Sequence, residues 1–255
     1  MSENQSKIVL VTGGSRGLGK DSALQLAEKG FDLIITYQTK KEFADEVVRE
    51  IENKGQKAFA LPLDISTTAG FGRFVTEVQD ILDTQFASRK LDALVNNAGI
   101  GINESFETTS EATLDAMTDI HFKGPYFLTQ KLLPLLNDGS SIVNTSSGLA
   151  RFSFAGYSAY GAMKAAVDAL SRYQALELGS RKIRVNSIAP GAIETDFGGG
   201  VVRDVEDMNK HIAGETALGR VGLPHDIGSV VAFLCSDDSK WVNAQRIEVS
   251  GGFRV

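Results

Sequence analysis

Short, nearly unbroken apolar runs alternate along the chain with longer stretches whose apolar positions recur at helical spacing. The runs predict strands near 7–12, 31–37, 57–61, 91–96, 140–146, 182–188 and 245–249, each separated from the next by helix-compatible sequence. Ile8-Val9-Leu10-Val11 and Leu91-Asp92-Ala93-Leu94-Val95 are close to continuous rather than alternating, as in strands covered by helices on both faces. Strand and helix in turn throughout predict a single doubly wound α/β domain, a seven-stranded parallel sheet with right-handed crossovers. No proline-rich or serine-rich linker, internal repeat or low-complexity tract divides residues 1–255, so one domain is expected. Long helices are expected over 110–136 and 157–179. The stretch 193–215 holds Gly198, Gly199 and Gly200 beside mixed polar residues and Phe197, Val201, Val202 and Met208; it reads as a glycine-hinged lid over a partly apolar site or as a loose surface excursion, and these apolar residues could equally pack against a neighbouring helix.

Composition narrows the function classes. Of 255 residues, 42% are hydrophobic and 23% charged, enough for one large core. The net charge of -6 argues against a protein that tracks nucleic-acid phosphates. Arg181, Lys182 and Arg184 make the one dense basic run, which reads as a solvated strand entrance. The single cysteine, Cys235, lies in an apolar helical stretch and reads as a packed thiol; one cysteine allows no internal disulfide. The start MSENQSK lacks the apolar stretch of a secretory leader, so a reducing cytoplasm is expected. His121, His211 and His225 have no ligand spacing, which predicts no metal site. No run approaches the roughly 18 apolar residues of a membrane span.

The first strand is followed by Thr12-Gly13-Gly14-Ser15-Arg16-Gly17-Leu18-Gly19, and Asp21 to Lys29 then read as a helix ended by Gly30. Strand, glycine turn and helix together make a phosphate cradle of the Rossmann type. Missing side chains let backbone N–H groups reach a pyrophosphate, and the positive end of the helix dipole lies beneath it. Gly13, Ser15, Arg16, Gly17, Leu18 and Gly19 are the candidate cofactor contacts. A P-loop is excluded, since no Gly-Lys-Ser/Thr triplet follows. At the end of the second strand stand Tyr37, Gln38, Thr39 and Lys40, with no acid to hold a ribose 2′-hydroxyl. Arg16 with Lys40 or Lys41 could instead pair with a 2′-phosphate, so NADP(H) is the expected cofactor.

Tyr160 and Lys164 are four residues apart and share a helix face, where an ammonium would stabilise a tyrosinate. Tyr37 and Lys41 have the same spacing, so context must separate the two pairs. Tyr37 ends the second strand, where the adenosine half of a dinucleotide would lie. Upstream of Tyr160, the fifth strand ends in Ser146 and Ser147 at the carboxyl edge of the sheet, the ligand edge of open α/β sheets. Either serine could hold a substrate oxygen or simply form a turn.

These residues in this order resemble the short-chain dehydrogenase/reductase family: TGGSRGLG, then Asn96-Asn97-Ala98-Gly99, then Ser147, Tyr160 and Lys164, then Pro190-Gly191 with Thr195. The resemblance runs from about residue 7 to 252 and is most similar to the 3-oxoacyl-acyl-carrier-protein reductase branch. It implies that Tyr160 is the general acid/base, that Ser147 positions the substrate oxygen, and that Lys164 binds the nicotinamide ribose and depresses the tyrosine pKa. It further implies that Asn97, Ala98 and Gly99 border the cofactor, that Asp64 and Ile65 flank the adenine, and that Pro190, Gly191, Ile193 and Thr195 lie beside the nicotinamide. Asp64 reads equally as a cap of the following helix. His121 stands where the family usually carries an asparagine that helps hold a relay water behind the lysine. A histidine can still hydrogen-bond there, and titrating near neutrality it would add a pH dependence; it reads equally as a ring satisfied by backbone carbonyls with no catalytic role. The expected activity is NADPH-dependent reduction of a carbonyl to a secondary alcohol. The alternatives are an NAD-dependent alcohol or sugar dehydrogenase and a catalytically weakened NADP-binding regulator. A homotetramer is expected by the same resemblance.

Overall fold

Valine, isoleucine and leucine crowd both faces of the central strands, and such a sheet is stable only with helices on each side. The computed structural model, which describes residues 6–87 and 89–255, has this arrangement. Residues 1–5, the greater part of the start read above for a leader, lie outside the described residues. The strands are β1 (Ile8–Val11), β2 (Asp32–Tyr37), β3 (Ala58–Pro62), β4 (Leu91–Asn96), β5 (Leu136–Thr145), β6 (Arg184–Pro190) and β7 (Arg246–Val249). Among the described residues they form one sheet in the order β3-β2-β1-β4-β5-β6-β7, parallel throughout. The order reverses between β1 and β4, and ligands of open α/β sheets bind at the carboxyl end of such a crevice.

The helices are α1 (Gly17–Glu28), α2 (Lys41–Glu52), α3 (Phe71–Gln85), α4 (Glu111–Thr118), α5 (Gly124–Leu132), α6 (Ser158–Glu177), α7 (Val201–Asp204), α8 (Glu206–Gly214) and α9 (Pro224–Cys235). Leu26 of α1, Val47 of α2 and Val231 of α9 pack on one face of the sheet. Phe71 and Val78 of α3, Leu128 of α5 and Ala175 of α6 cover the other. Cys235 of α9 is buried on the first face, as its apolar surroundings predicted, and burial pushes its thiol up to about 12. Among the described residues, no helix is long and apolar enough to cross a membrane.

Three expectations need correction. The helix expected over 110–136 is broken: α4 passes through a π-helical turn, Asp119–Lys123, into α5, and a short 3₁₀ turn, Leu133–Leu135, ends it. Pro125 lacks the N–H that would bond the His121 carbonyl one turn back, and the helix widens at that point. β5 starts at Leu136 rather than 140, because a register shift lets Leu91 pair with Leu136 and Ala93 with Ser141 across polar residues that read as a turn. The basic run is not a solvated entrance. Arg181 donates to the carbonyls of Leu133 and Leu136, and Arg184 to those of Leu234 and Ser236, so both guanidiniums clamp chain ends.

A chain of buried amides crosses the middle of the molecule. Asn96 Nδ2 donates to Thr129 Oγ1 (3.0 Å) and to Asn144 Oδ1 (2.8 Å). Asn144 Nδ2 in turn donates to Ser171 Oγ (2.9 Å) and Gln174 Oε1 (3.0 Å). One polar line therefore ties α5, β4, β5 and α6. Asn144→Ala would orphan buried partners on both sides, a loss of roughly 2–3 kcal/mol. Thermal unfolding of this variant is expected roughly 5–10 °C below the parent.

Candidate active site

The glycine turn is held open by its neighbours. Thr12 Oγ1 accepts from the N–H groups of Asn97 (2.9 Å) and Ala98 (3.1 Å), and Thr36 Oγ1 accepts from Gly13 N–H (3.0 Å). Asn97 Nδ2 donates back to the carbonyls of Thr12 and Gly13. A Cβ on Gly19 would lie 2.1 Å from the Gly13 carbonyl oxygen and 2.5 Å from Asn97 Nδ2, so only glycine fits this close approach. α1 begins at Gly17, four residues before the expected Asp21, and Arg16 at its cap makes no side-chain capping bond. Its first turn holds no acid, which leaves the leading N–H groups and the positive end of the dipole for a phosphate. The residues present thus fit a pyrophosphate: Ser15, Gly17 and Leu18 are half-buried around the turn, and Gly99 is open beside Asn97 and Ala98.

Tyr37 is half-buried at the end of β2, and Gln38 and Thr39 are exposed beyond it. Lys41 donates to both oxygens of Asp45 (2.7 and 2.8 Å), and Lys40 lies 3.8 Å from Glu42. Of the three expected cations, only Arg16 has no carboxylate partner among the described residues, and it is exposed. Asp64 does not cap a helix; its carboxylate accepts from Ser66 N–H (3.0 Å), Ser66 Oγ (2.6 Å) and Thr67 Oγ1 (3.2 Å), and these bonds hold its pKa below the ordinary value. Ile65 is buried against α5.

At the carboxyl end of β6, Pro190 is buried and Gly191 N–H donates to the Val249 carbonyl (3.0 Å). Ile193 bridges to Gly222, and the buried Thr195 faces Gly17 across the crevice. A cavity of about 320 Å³ opens between the start of α1 and the segment expected to be a lid, lined by Gly17, Lys20, Glu194, Thr195 and Arg203 among others. In that segment Gly198, Gly199 and Gly200 all have positive φ (61°, 77° and 77°) before α7 and α8 begin.

Ser147, Tyr160 and Lys164 converge at the same edge. Ser147 leaves β5 in extended conformation and its Oγ accepts from Leu149 N–H (3.2 Å), so its own proton is free to donate outward. Tyr160 is 7% exposed, among the rings of His121 (5.1 Å between centroids), Phe197 (5.7 Å) and Tyr157 (6.3 Å). Lys164 is 4% exposed; its Nζ donates to the Thr145 carbonyl (2.7 Å) and lies 5.5 Å from the centre of the Tyr160 ring. Burial brings Lys164 down to about 7, with Asp168 pulling the other way. Burial also raises the Tyr160 pKa well above that of a free phenol, and the nearby Ser147 hydroxyl works against it. The phenol is therefore protonated at neutral pH. Ser146 turns inward, its Oγ donating to the Lys164 carbonyl (3.2 Å), and is structural.

His121 corrects another expectation. Burial, and then the charge of Lys164, lower its pKa to about 2, so it stays neutral and adds no titration near neutrality. Nε2–H donates to the Ile100 carbonyl (2.8 Å), which leaves Nδ1 as a lone-pair acceptor without a partner. Asn96 Oδ1 and Thr145 Oγ1 are likewise unpartnered. Residues His121, Asn96, Thr145 and Lys164 line one small cavity of about 10 Å³, a polar space of the size that suits a single water. Sequence reading passed over the aromatic surround of Phe154 and Tyr157, although Tyr157 stands just before α6. It also passed over Arg246, whose partners Asp168 and Ser147 are 78 and 99 residues away and give no local signal.

Known proteins resemble this chain over most of its length. A family model described as Enoyl-(Acyl carrier protein) reductase matches residues 13–254. The chain is 37% identical over 257 residues to a hydroxynaphthalene reductase-like protein Arp2 of Metarhizium brunneum, covering 96% of this chain and 94% of that protein. It is also 37% identical over 249 residues to the 3-oxoacyl-[acyl-carrier-protein] reductase FabG of Staphylococcus aureus, covering 97% and 98%. A crystal structure of the angucycline C-6 ketoreductase LanV with bound NADP superposes with a TM-score of 0.93 at 32% identity, covering 98% of this chain and 97% of that one.

The buried ammonium gives a test with a definite sign. Folding lowers the Lys164 pKa from 10.5 to about 7, so the unfolded chain binds more protons between those values and the cost of burial is fully present below pH 7. Lys164→Met removes that cost. Its Tm is expected to exceed the parent's by several degrees near pH 6, and the difference should shrink as pH rises towards 10.5. A variant with lower Tm at both ends would show that the Thr145 bond outweighs desolvation.

Proposed function

Since the chain belongs to the short-chain dehydrogenase/reductase family, we propose that it is an NADPH-dependent reductase converting a ketone to a secondary alcohol with Tyr160 as the acid. The observation that carries this reading is the convergence of Ser147, Tyr160 and Lys164 beside the uncapped, glycine-lined start of α1. The relatives support the cofactor: LanV is described with bound NADP, and Arg16 here is an unpaired cation where no acid ends β2. When bound, the nicotinamide supplies the hydride. Gly13, Ser15, Gly17, Leu18 and Gly19 would hold the pyrophosphate, Arg16 the 2′-phosphate, and Lys164 the nicotinamide ribose. Asn97, Ala98, Gly99, Pro190, Gly191, Ile193 and Thr195 would wall the cofactor cleft, with Tyr37, Gln38, Thr39, Asp64 and Ile65 at its adenosine end.

The chemistry of the chain itself follows from protonation state. Ser147, accepting from Leu149, donates a hydrogen bond to the ketone oxygen and holds it beside Tyr160. Tyr160 is protonated and gives its proton to that oxygen as negative charge develops. Lys164 then faces a phenolate rather than a phenol, and their attraction favours its charged form.

The substrate reading is a planar, ring-bearing ketone. Phe154, Tyr157 and Phe197 surround the approach to Tyr160, and aromatic faces select flat partners. The hydroxynaphthalene reductase-like and angucycline relatives point the same way. The residues 193–215, turning on three positive-φ glycines, would close over it as a lid. Exposed Tyr126, Phe127, Tyr173 and Leu176 on α5 and α6 support a homo-oligomer.

Three measurements test this. A fused-ring ketone such as a tetralone is expected to show kcat/KM at least about tenfold above a β-ketoacyl thioester with NADPH, about 1.4 kcal/mol of discrimination. Tyr160→Phe should lower kcat by about a hundredfold or more; parent-like turnover would remove Tyr160 as the acid. Arg16→Glu should cut the preference for NADPH over NADH by about tenfold or more. Tight NADPH binding without oxidation across the ketone panel would instead favour a non-catalytic role.

A further inference from the structure

The first residue of β7 is bonded to two parts of the site described above. Arg246 donates from Nε to Asp168 Oδ2 (2.9 Å), from Nη1 to Glu248 Oε2 (3.1 Å) and from Nη2 to the Ser147 carbonyl (3.1 Å). Asp168 lies one helical turn beyond Lys164 on α6, and its other oxygen accepts from Ser187 Oγ of β6 (2.8 Å). We infer that Arg246 is a positioning residue for the reaction: its guanidinium holds the backbone of Ser147 and the lysine-bearing turn of α6 in one fixed frame. The inference rests on the proposed roles of Ser147, Tyr160 and Lys164.

The physical case is one of geometry. The Ser147 side chain has a single rotor, so the position of its hydroxyl follows the orientation of its peptide plane. The Ser147 carbonyl has two donors, Ala150 N–H (3.1 Å) from its own turn and Arg246 from outside it. The second is the one that relates this turn to α6. A planar fork can serve three acceptors in fixed directions, which a lysine ammonium on a flexible stem cannot. The pair is also sheltered: the side chains of Arg246 and Asp168 are 22% and 9% exposed, so water screens their bond weakly. A misplacement of about 1 Å in such a site costs on the order of a hundredfold in rate.

Arg151 provides a matched control. It binds the same Glu248 through Nε (2.8 Å) and Nη2 (2.9 Å) and donates to the carbonyls of Phe253 and Arg254, but its side chain bonds neither Ser147 nor Asp168. Both arginines tie the C-terminal segment into the same ion network. Among the described residues, Arg246 is the one in that network whose side chain bonds both Ser147 and Asp168, whereas Arg151 joins it from the end of the Ser147 turn.

The experiment compares Arg246→Lys, Asp168→Asn, Arg151→Lys and Tyr160→Phe in the full chain. Steady-state kinetics use the best ketone, NADPH affinity is read by nucleotide fluorescence, and Tm reports folding. Arg246→Lys keeps the charge and is expected to lose kcat at least tenfold with NADPH Kd within twofold of the parent. Arg151→Lys should stay within twofold in kcat. Asp168→Asn, which leaves the bond to Ser147 in place, should lose threefold to tenfold. Parent-like kcat in Arg246→Lys, or a loss matched by equal weakening of NADPH, overturns the inference. If Arg246→Lys does not fold, Asp168→Asn decides, and a kcat within twofold of the parent overturns it. An active Tyr160→Phe would instead remove the underlying functional reading, so the two failures are distinct.

Discussion

The hydrogen bond from Asn96 to Asn144 sets the level at which β4 and β5 end. A parallel sheet has no hairpin to fix the relative height of its strands, so side-chain bonds must do part of that work. Here the bond sits at the last residues before Asn97 on one strand and Thr145 on the next. Its outer partners, Thr129 on α5 and Ser171 and Gln174 on α6, bring the two helices to the same height. The cofactor edge, the serine and the tyrosine helix therefore share one reference. Unpaired amides in so apolar a core would be costly, which gives the arrangement a single acceptable register.

Dryness is the second constraint. Tyr160 and Lys164 are both nearly inaccessible, and burial moves each towards its neutral form. For the lysine, charged in the unfolded chain at neutral pH, that opposes folding; the phenol is neutral in both states there and carries no such cost. Burial also readies the site for reduction: a phenol that keeps its proton until charge appears nearby, and a lysine that regains full charge when a phenolate forms. The neutral His121 ring stacks edge-on against the tyrosine without competing for its proton. Fixed dipoles are worth most in such low-dielectric surroundings.

Features encoded by neighbours in the chain were legible in advance. The seven strands and the glycine turn follow from apolar runs and short spacings, whereas the choice of Ser147 over Ser146, and of Tyr160 with Lys164 over Tyr37 with Lys41, rested on the family resemblance. Features encoded by distant partners were not. Arg181 and Arg184 read as solvent-facing because their carbonyl acceptors lie 45 to 52 residues away in sequence. The break at Pro125 was hidden by apolar periodicity on both sides of it. For His121 two readings stood open, a solution-like titration and a ring satisfied by backbone carbonyls, because nothing local reveals its burial beside an ammonium; the bond to the Ile100 carbonyl matches the second. Lys41, near enough in sequence to serve a phosphate, is engaged by Asp45 one turn along the same helix.

The lone cysteine has a practical corollary. Cys235 is inaccessible and its thiol is held in the unreactive protonated form. Any cysteine introduced on the surface would be the sole site for a maleimide dye or spin label. With Cys235 left in place, a label on the segment after Phe197 and a second on α1 would report the distance across the crevice as an optical or magnetic signal.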